Sequence, residues 1–368
     1  MKKQPGLGIV GYGGFGEFTA QVYAQMPQVR IVAITDVDAA RRESAAERYH
    51  ARAYADLTAL LADPEVDIVV INTPPWLHAS QAMAAADAGK HIFLEKPLAT
   101  ALDDADILLA KLKERQAHLT IDYVLRHVPV YETLLKVTNS GLLGTVTYMR
   151  LENVASNEAL HDQHWFWQRS YSGGIFIEHG VHFFDLCNQI SGTHPVHVSG
   201  AAHRGPNDRQ DRVMAAVTYA NGTLANFYHA FDRPAILEQT TLRVVLERGS
   251  IIVTGWIPDH LELEGTLPTE QYSQLESLLG VPLTVRDVPA PVGITGATAG
   301  HLVQATLDRA DRNADYVEAV RRGMADFVMQ IQQHDYTPLV TLQDAYESFR
   351  LAFLAQRSID DGCSLDIC

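Results

Sequence analysis

Apolar residues in the first third of the chain come in short unbroken runs: LGIVG at 7–11, VRIVAITD at 29–36, VDIVVINTP at 66–74, HIFLEKP at 91–97 and HLTIDYV at 118–124. A run that is apolar at nearly every position has both faces buried, as strands inside a parallel sheet do. Between these runs lie helical stretches at about 15–26, 39–49 (AARRESAAERY), 78–89 (HASQAMAAADAG, ending on Gly89 as a C-terminal cap) and 103–116 (DDADILLAKLKERQ). Strand alternating with helix predicts an α/β domain with helices on both faces of a parallel sheet.

After about Val124 the period changes to alternation. RVMAAVTYANGTLANFYHAF (212–231) carries Asn221-Gly222 between two alternating runs, which predicts a hairpin with a type I′ turn. TTLRVVLERGSIIVTG (240–255) predicts a second hairpin around Arg248-Gly249, and 145–155, 196–203 and 260–265 add strands. This half reads as α+β with a mostly antiparallel open sheet. The Pro- and Gly-rich stretch 288–300 reads as a mobile loop or a subunit arm. Helix 341–357 opens on Thr341-x-x-Asp344, close to a capping box, with Leu342, Ala345, Phe349, Ala352 and Phe353 at helical spacing. The expected organisation is 1–123, a Rossmann dinucleotide-binding domain; 124–340, an α+β domain for substrate and oligomerisation; and 341–368, a closing helix.

The first strand-to-helix turn is Gly11-Tyr12-Gly13-Gly14-Phe15-Gly16, a G-x-G-x-x-G. Gly11 permits the tight turn, Gly13 lets a pyrophosphate approach the backbone, and Gly16 lets the helix pack on the strand. Twenty residues after Gly16, Asp36 stands at a strand end, where a carboxylate binds ribose hydroxyls. That carboxylate, with Asp38 beside it, favours NAD. Arg41 and Arg42 are the counter-argument for NADP.

Totals narrow the setting. With 368 residues, two domains are expected. The net charge of −15 argues against nucleic acid or an anionic membrane as main partner. The three cysteines, Cys187, Cys363 and Cys368, form no Cys-x-x-Cys, so a disulfide framework or structural zinc is not expected and a reducing cytoplasm is. Glycine interrupts the segment after the two N-terminal lysines too often for a signal peptide, and no apolar run is long enough to span a membrane.

The chain resembles the Gfo/Idh/MocA oxidoreductases in GYGGFG (11–16), NTPPWLH (72–78), AGKHIFLEKPLA (88–99), 126–146, GGIFIEHGVHFFDL (173–186) and 341–362. The resemblance implies hydride transfer between a nicotinamide and a carbinol carbon of a sugar, inositol or related polyol. It implies cofactor contacts from the glycine turn, Asp36, Thr73, Pro74, His78, Glu95 and Lys96, with Lys96 on a cis peptide to Pro97. It implies a homo-oligomer, dimer or tetramer, through the C-terminal sheet, and a last helix folded back on the first domain. For His78, helix packing is an equal reading.

The stretch 173–186 admits three readings. As a helix over 176–188 it puts Glu178, His182 and Asp185 on one face, with His179 turned away by about 100°. A metal site would need more ligands than His179, His182 and Glu178, so no metal is expected. A structural polar face is the plain alternative. The acid/base reading makes His182 the proton acceptor, Lys96 the stabiliser of the developing oxygen charge, and Glu178 the group that orients the imidazole or substrate. The family usually has Asp where this chain has Glu178. Arg126, His161 and Trp165 are candidates for the substrate wall. A redox-neutral sugar-modifying enzyme and a catalytically weak sensor are the alternative functions.

Overall fold

The computed structural model describes residues 4–205, 209–289 and 300–367. They form two compact units, and the units do not follow chain order. The first comprises residues 1–127, 164–185 and 317–353, and the second 128–163, 186–316 and 354–368.

The first unit holds a six-stranded parallel sheet. Its strands are β1 (Gly6–Val10), β2 (Arg30–Thr35), β3 (Arg52–Tyr54), β4 (Ile68–Ile71), β5 (His91–Leu94) and β6 (Leu119–Ile121), in the order β3-β2-β1-β4-β5-β6. Every residue of β1 and β4 is buried, as unbroken apolar runs require. The strand order reverses between β1 and β4. Ligands bind beyond the strand ends at such a switch point. Phe327, from the helix Arg312–Gln332, packs edge-on against Phe93 of β5 at 5.9 Å. The segment Leu342–Phe353 begins the last helix, and Thr341 and Asp344 cap it reciprocally, each backbone N–H bonded to the other's side-chain oxygen. Tyr346 donates to Asp106 at 2.7 Å.

The second unit is built on a ten-stranded sheet. Its strands are β7 (Val146–Ser156), β8 (Pro195–Arg204), β9 (Gln210–Tyr219), β10 (Leu224–Arg233), β11 (Gln239–Leu246), β12 (Gly249–Thr254), β13 (His260–Thr266), β14 (Thr284–Val288), β15 (Gly300–Asp308) and β16 (Leu365–Asp366). All neighbours run antiparallel except β7 and β10. The hairpin at Asn221-Gly222 forms, but not with a type I′ turn. β9 ends at Tyr219, whose N–H donates to Thr223 O at 2.9 Å, so the connection is longer than two residues, and only Gly222 takes a positive φ (+88°). Type I′ would need Asn221 there too. Asn221 instead donates its side-chain amide to Ser191 O at 3.0 Å. Residues 290–299 of the Pro- and Gly-rich stretch lie outside the described residues.

Candidate active site

The glycine turn follows β1 directly. Gly11 has φ +87°, and a Cβ on Gly16 would lie 2.3 Å from Gly11 O, so neither position accepts a side chain. A Cβ on Gly13 or Gly14 would meet nothing within 4 Å, which leaves the outer rim of the turn open. The helix Gly14–Tyr23 starts on Gly13 with no side-chain cap, so its first N–H groups face that opening. The turn fits a pyrophosphate. Tyr12 contributes its backbone N–H to Asp36 Oδ2 at 2.7 Å, and Phe15 packs on Phe18. Asp36 also accepts from Asp38 N at 2.8 Å. A carboxylate has about four acceptor positions, so two remain for ribose hydroxyls. Arg41 lies 3.6 Å from Asp36 and 3.8 Å from Asp38, and Arg42 donates to Asp36 O. The two arginines that argued for a phosphate are thus engaged by acidic and carbonyl groups.

Lys96 follows β5, at the carboxyl end of the sheet, and its bond to Pro97 is cis. Its Nζ donates to Glu178 Oε1 at 2.7 Å and to Glu178 O at 2.8 Å. Glu178 therefore pairs with the lysine itself. The sequence reading had it serve His182 or the substrate. Residues Phe176–Gly180 form a π turn before the α-helix Val181–Ser191. His179, three residues before His182 and so its neighbour on the helix surface, is not turned away from it. That imidazole lies 6.5 Å from His182, centroid to centroid, within reach of the Lys96 charge. Burial first, then Lys96, pushes His179 down to about 3. The same influences, with His179 added, hold His182 well below the ordinary histidine value. Both rings are neutral at neutral pH, and a neutral imidazole can accept a proton.

His78 is fully buried. Its Nδ1 lies 2.7 Å from Pro97 O and its Nε2 2.7 Å from Thr73 O. Both ring nitrogens face backbone carbonyls, so His78 links the Thr73–Pro74 loop to the Lys96–Pro97 peptide, in keeping with the packing reading. Thr73 Oγ1 donates to Gln81 at 2.6 Å, and Pro74 leads into the turn Pro75–Leu77.

Glu95 was expected at the cofactor, but its carboxyl has a second acid against it. Leu94 pairs with Ile121 across β5 and β6, so Glu95 and Asp122 are the next residues on adjacent strands. Asp122 is buried, and its N–H donates to Leu94 O at 2.9 Å. Burial, then the neighbouring Asp122, raises Glu95 well above the carboxylate range, while burial raises Asp122 to about 6. Two such carboxyls hold a proton between them. Asp122 binds more proton in the folded protein than in the unfolded chain between roughly pH 4 and 6, and Glu95, raised further, does so to higher pH, so this pair loses stability as pH rises through that range. Asp122→Asn is expected to stabilise the protein by about 1–3 kcal/mol at pH 8 and to do little at pH 4.5. Urea unfolding at the two pH values checks this; a variant less stable at pH 8 contradicts it.

One substrate-wall expectation fails. Arg126 is 2 % exposed. It forks onto Asp185, with Nε to Oδ2 at 2.6 Å, and reaches Asp344 at 3.1 Å and Leu339 O at 2.7 Å, so no donor faces a substrate. Burial pushes Asp185 up, and the guanidinium pulls it back. His161 is exposed and belongs to the second unit. Trp165 sits in the first unit against Trp76 at 5.8 Å, and Trp76 lies 4.5 Å from Tyr171. Trp76 stands within the NTPPWLH motif, yet the motif does not reveal its partners. Among the described residues no three His, Cys, Asp or Glu side chains converge as metal ligands.

A glycine turn open to a pyrophosphate, an acid at the end of β2 and a lysine at the end of β5 define a dinucleotide-dependent oxidoreductase. Residues 6–123 match the family model described as oxidoreductase family, NAD-binding Rossmann fold, and 131–252 match the GFO/IDH/MocA C-terminal domain. The chain belongs to the Gfo/Idh/MocA family. It is 32% identical over 219 residues to UDP-N-acetylglucosamine 3-dehydrogenase of Acidithiobacillus ferrooxidans, covering 60% of this chain and 64% of that one. It is 26% identical over 297 residues to levoglucosan dehydrogenase of Pseudarthrobacter phenanthrenivorans, covering 70% and 75%. A solved levoglucosan dehydrogenase with NADH and levoglucosan superposes with TM-score 0.80 at 19% identity, covering 99% of this chain and 100% of that one.

Proposed function

We propose that the protein is an NAD-dependent dehydrogenase that oxidises a secondary hydroxyl of a sugar or related polyol, reversibly. The observation that carries this reading is Lys96, at the switch-point end of the sheet, hydrogen-bonded to the helix that carries the neutral His182. NAD supplies the hydride acceptor. The hydroxyl proton goes to His182, which is neutral at neutral pH. The Lys96 ammonium stabilises the oxygen as its charge develops, and Glu178 holds that ammonium in place. The strap through His78 fixes the peptide from which Lys96 projects. Two relatives, named for UDP-N-acetylglucosamine and for levoglucosan, support the sugar class.

Cofactor binding by residues 1–123, and substrate and subunit contact by 124–340, are part of this reading. So is assembly of copies through the ten-stranded sheet, where Met214 and Leu224 stand half-exposed on adjacent strands. The cytoplasm is the proposed setting, on the cysteine pattern. No helix among the described residues is long and apolar enough to cross a membrane.

The test is a panel of sugars, inositols and diols assayed for NADH formation at 340 nm, run beside NADP, with sedimentation velocity on the same sample. Turnover with NAD is expected. Reduction of NADP alone would overturn the assignment to Asp36, and a silent panel would overturn the enzymatic reading.

A further inference from the structure

We infer that the carboxyl pair Glu95–Asp122 makes cofactor binding proton-linked: the pair gives up its shared proton to solvent when the positively charged nicotinamide of NAD binds, and keeps it beside the neutral ring of NADH. This rests on the reading of the first unit as a nicotinamide site and not on the identity of the substrate.

The sheet builds the pair. Glu95 follows the last residue of β5, and its backbone N–H donates to Ile71 O of β4 at 3.0 Å. Asp122 follows the last residue of β6 and donates to Leu94 O. Glu95 thus stands between β4 and β6 at the carboxyl end of the sheet, where ligands bind in such folds. Asp122 is 4% exposed, and its Oδ2 has no hydrogen-bond partner among the described residues. A buried carboxylate without donors is costly, so a proton shared with Glu95 serves in their place. Glu95 keeps part of its surface accessible, which gives that proton a way out.

The surrounding charges leave the second negative charge of the pair without a counter-ion. Lys96, the next residue, acts on both acids, but its ammonium already donates twice to Glu178. The other titratable groups around Lys96 are His78, from the segment after β4, and His179 and His182, from the helix. All three are held below the ordinary histidine value, so they are neutral at neutral pH and have no charge to shed. One ammonium therefore answers Glu178, Glu95 and Asp122 together. A further cation at this end of the sheet favours full ionisation of the pair, because a nearby opposite charge stabilises the charged form. A neutral ring supplies no such charge.

Linkage fixes the sign. Binding that releases a proton strengthens as pH rises, by about tenfold per pH unit for one whole proton. NAD affinity should rise with pH until the pair is ionised in the free protein. NADH affinity should stay flat. Alkaline solution thus favours the oxidised cofactor on the protein.

The experiment uses the full-length protein without substrate. NAD and NADH are each titrated by calorimetry in Pipes and in Tris, at about pH 7.5. These buffers differ in heat of ionisation, so the difference in apparent enthalpy counts the protons released. NAD is expected to release about half a proton or more, and NADH close to none. Asp122→Asn leaves Glu95 no acid to share with, and Glu95→Gln removes the partner on the neighbouring strand. Both should abolish the release and flatten the pH dependence of NAD affinity. Urea unfolding of Asp122→Asn, expected to be the more stable protein at pH 8, guards against a folding defect. Equal release with NAD and NADH, no release with either, or release that persists in either variant would overturn the linkage. A silent sugar panel would overturn the dehydrogenase reading and leave the linkage standing. Failure to bind either dinucleotide would overturn the nicotinamide reading and the linkage with it.

Discussion

Lys96→Met is expected to lower kcat for polyol oxidation by about 10²–10³-fold, the usual cost of removing a group aimed at a developing oxygen charge. Methionine keeps the length of the chain and removes the ammonium. Two further consequences separate this from a general defect. Glu178 loses its 2.7 Å partner, so its carboxylate is no longer fixed. The imidazoles of His182 and His179 lose a neighbouring positive charge that helps to depress them. Their pKa values must therefore rise, and the acid limb of the kcat/KM profile must move to higher pH. NADH affinity, measured by fluorescence titration, should fall far less than kcat, because the glycine turn and Asp36 are untouched. A variant that keeps wild-type kcat would remove Lys96 from the chemistry. A variant that loses kcat without a shift of the acid limb would remove the proposed coupling between lysine and imidazole.

Arg126→Met is expected to destabilise the protein by about 3–5 kcal/mol, which is what leaving a buried charge without its partner costs. Arg126 and Asp185 are 2% and 0% exposed, and the guanidinium also ties Asp344 and the Leu339 carbonyl. Asp185 accepts a further bond from Ser348 at 3.1 Å, so the lost arginine loosens a network that spans three segments of the first unit. Asp185 stands three residues after His182, within a turn of the proposed base, so kcat should fall together with stability. Urea unfolding measures the first effect. The double variant Arg126→Met/Asp185→Leu should regain much of the stability, because it removes the orphaned carboxylate as well. A single variant within about 1 kcal/mol of wild type would contradict the buried-charge account.

The amino-acid sequence by itself determined five of the six strands of the first sheet, because buried parallel strands leave unbroken apolar runs; β3, three half-exposed residues, leaves no such run. It determined the phosphate turn for a local reason: Gly11 and Gly16 are demanded by backbone geometry within six residues. It placed Lys96 at a strand end, the cis Lys96–Pro97 peptide through family resemblance, and the capping box at Thr341. It also delimited the hairpins of the second unit, though not the turn type, since Asn221 spends its side chain on Ser191, a residue thirty positions away.

The rest was decided by tertiary structure. The Glu178–Lys96 pair could not be read from spacing, since the two residues lie 82 positions apart and meet only when the helix of residues 176–191 packs at the end of β5. Arg126 looked available in the sequence because its partners, Asp185 and Asp344, lie 59 and 218 residues away. Glu95 and Asp122 repel each other only because β5 and β6 are neighbours, and Trp76 meets Trp165 and Tyr171 only once two segments about ninety residues apart fold together. Backbone demands act over a few residues and are written locally. Charge pairing, shared protons and ring contacts act through space, and only the folded chain fixes which groups meet.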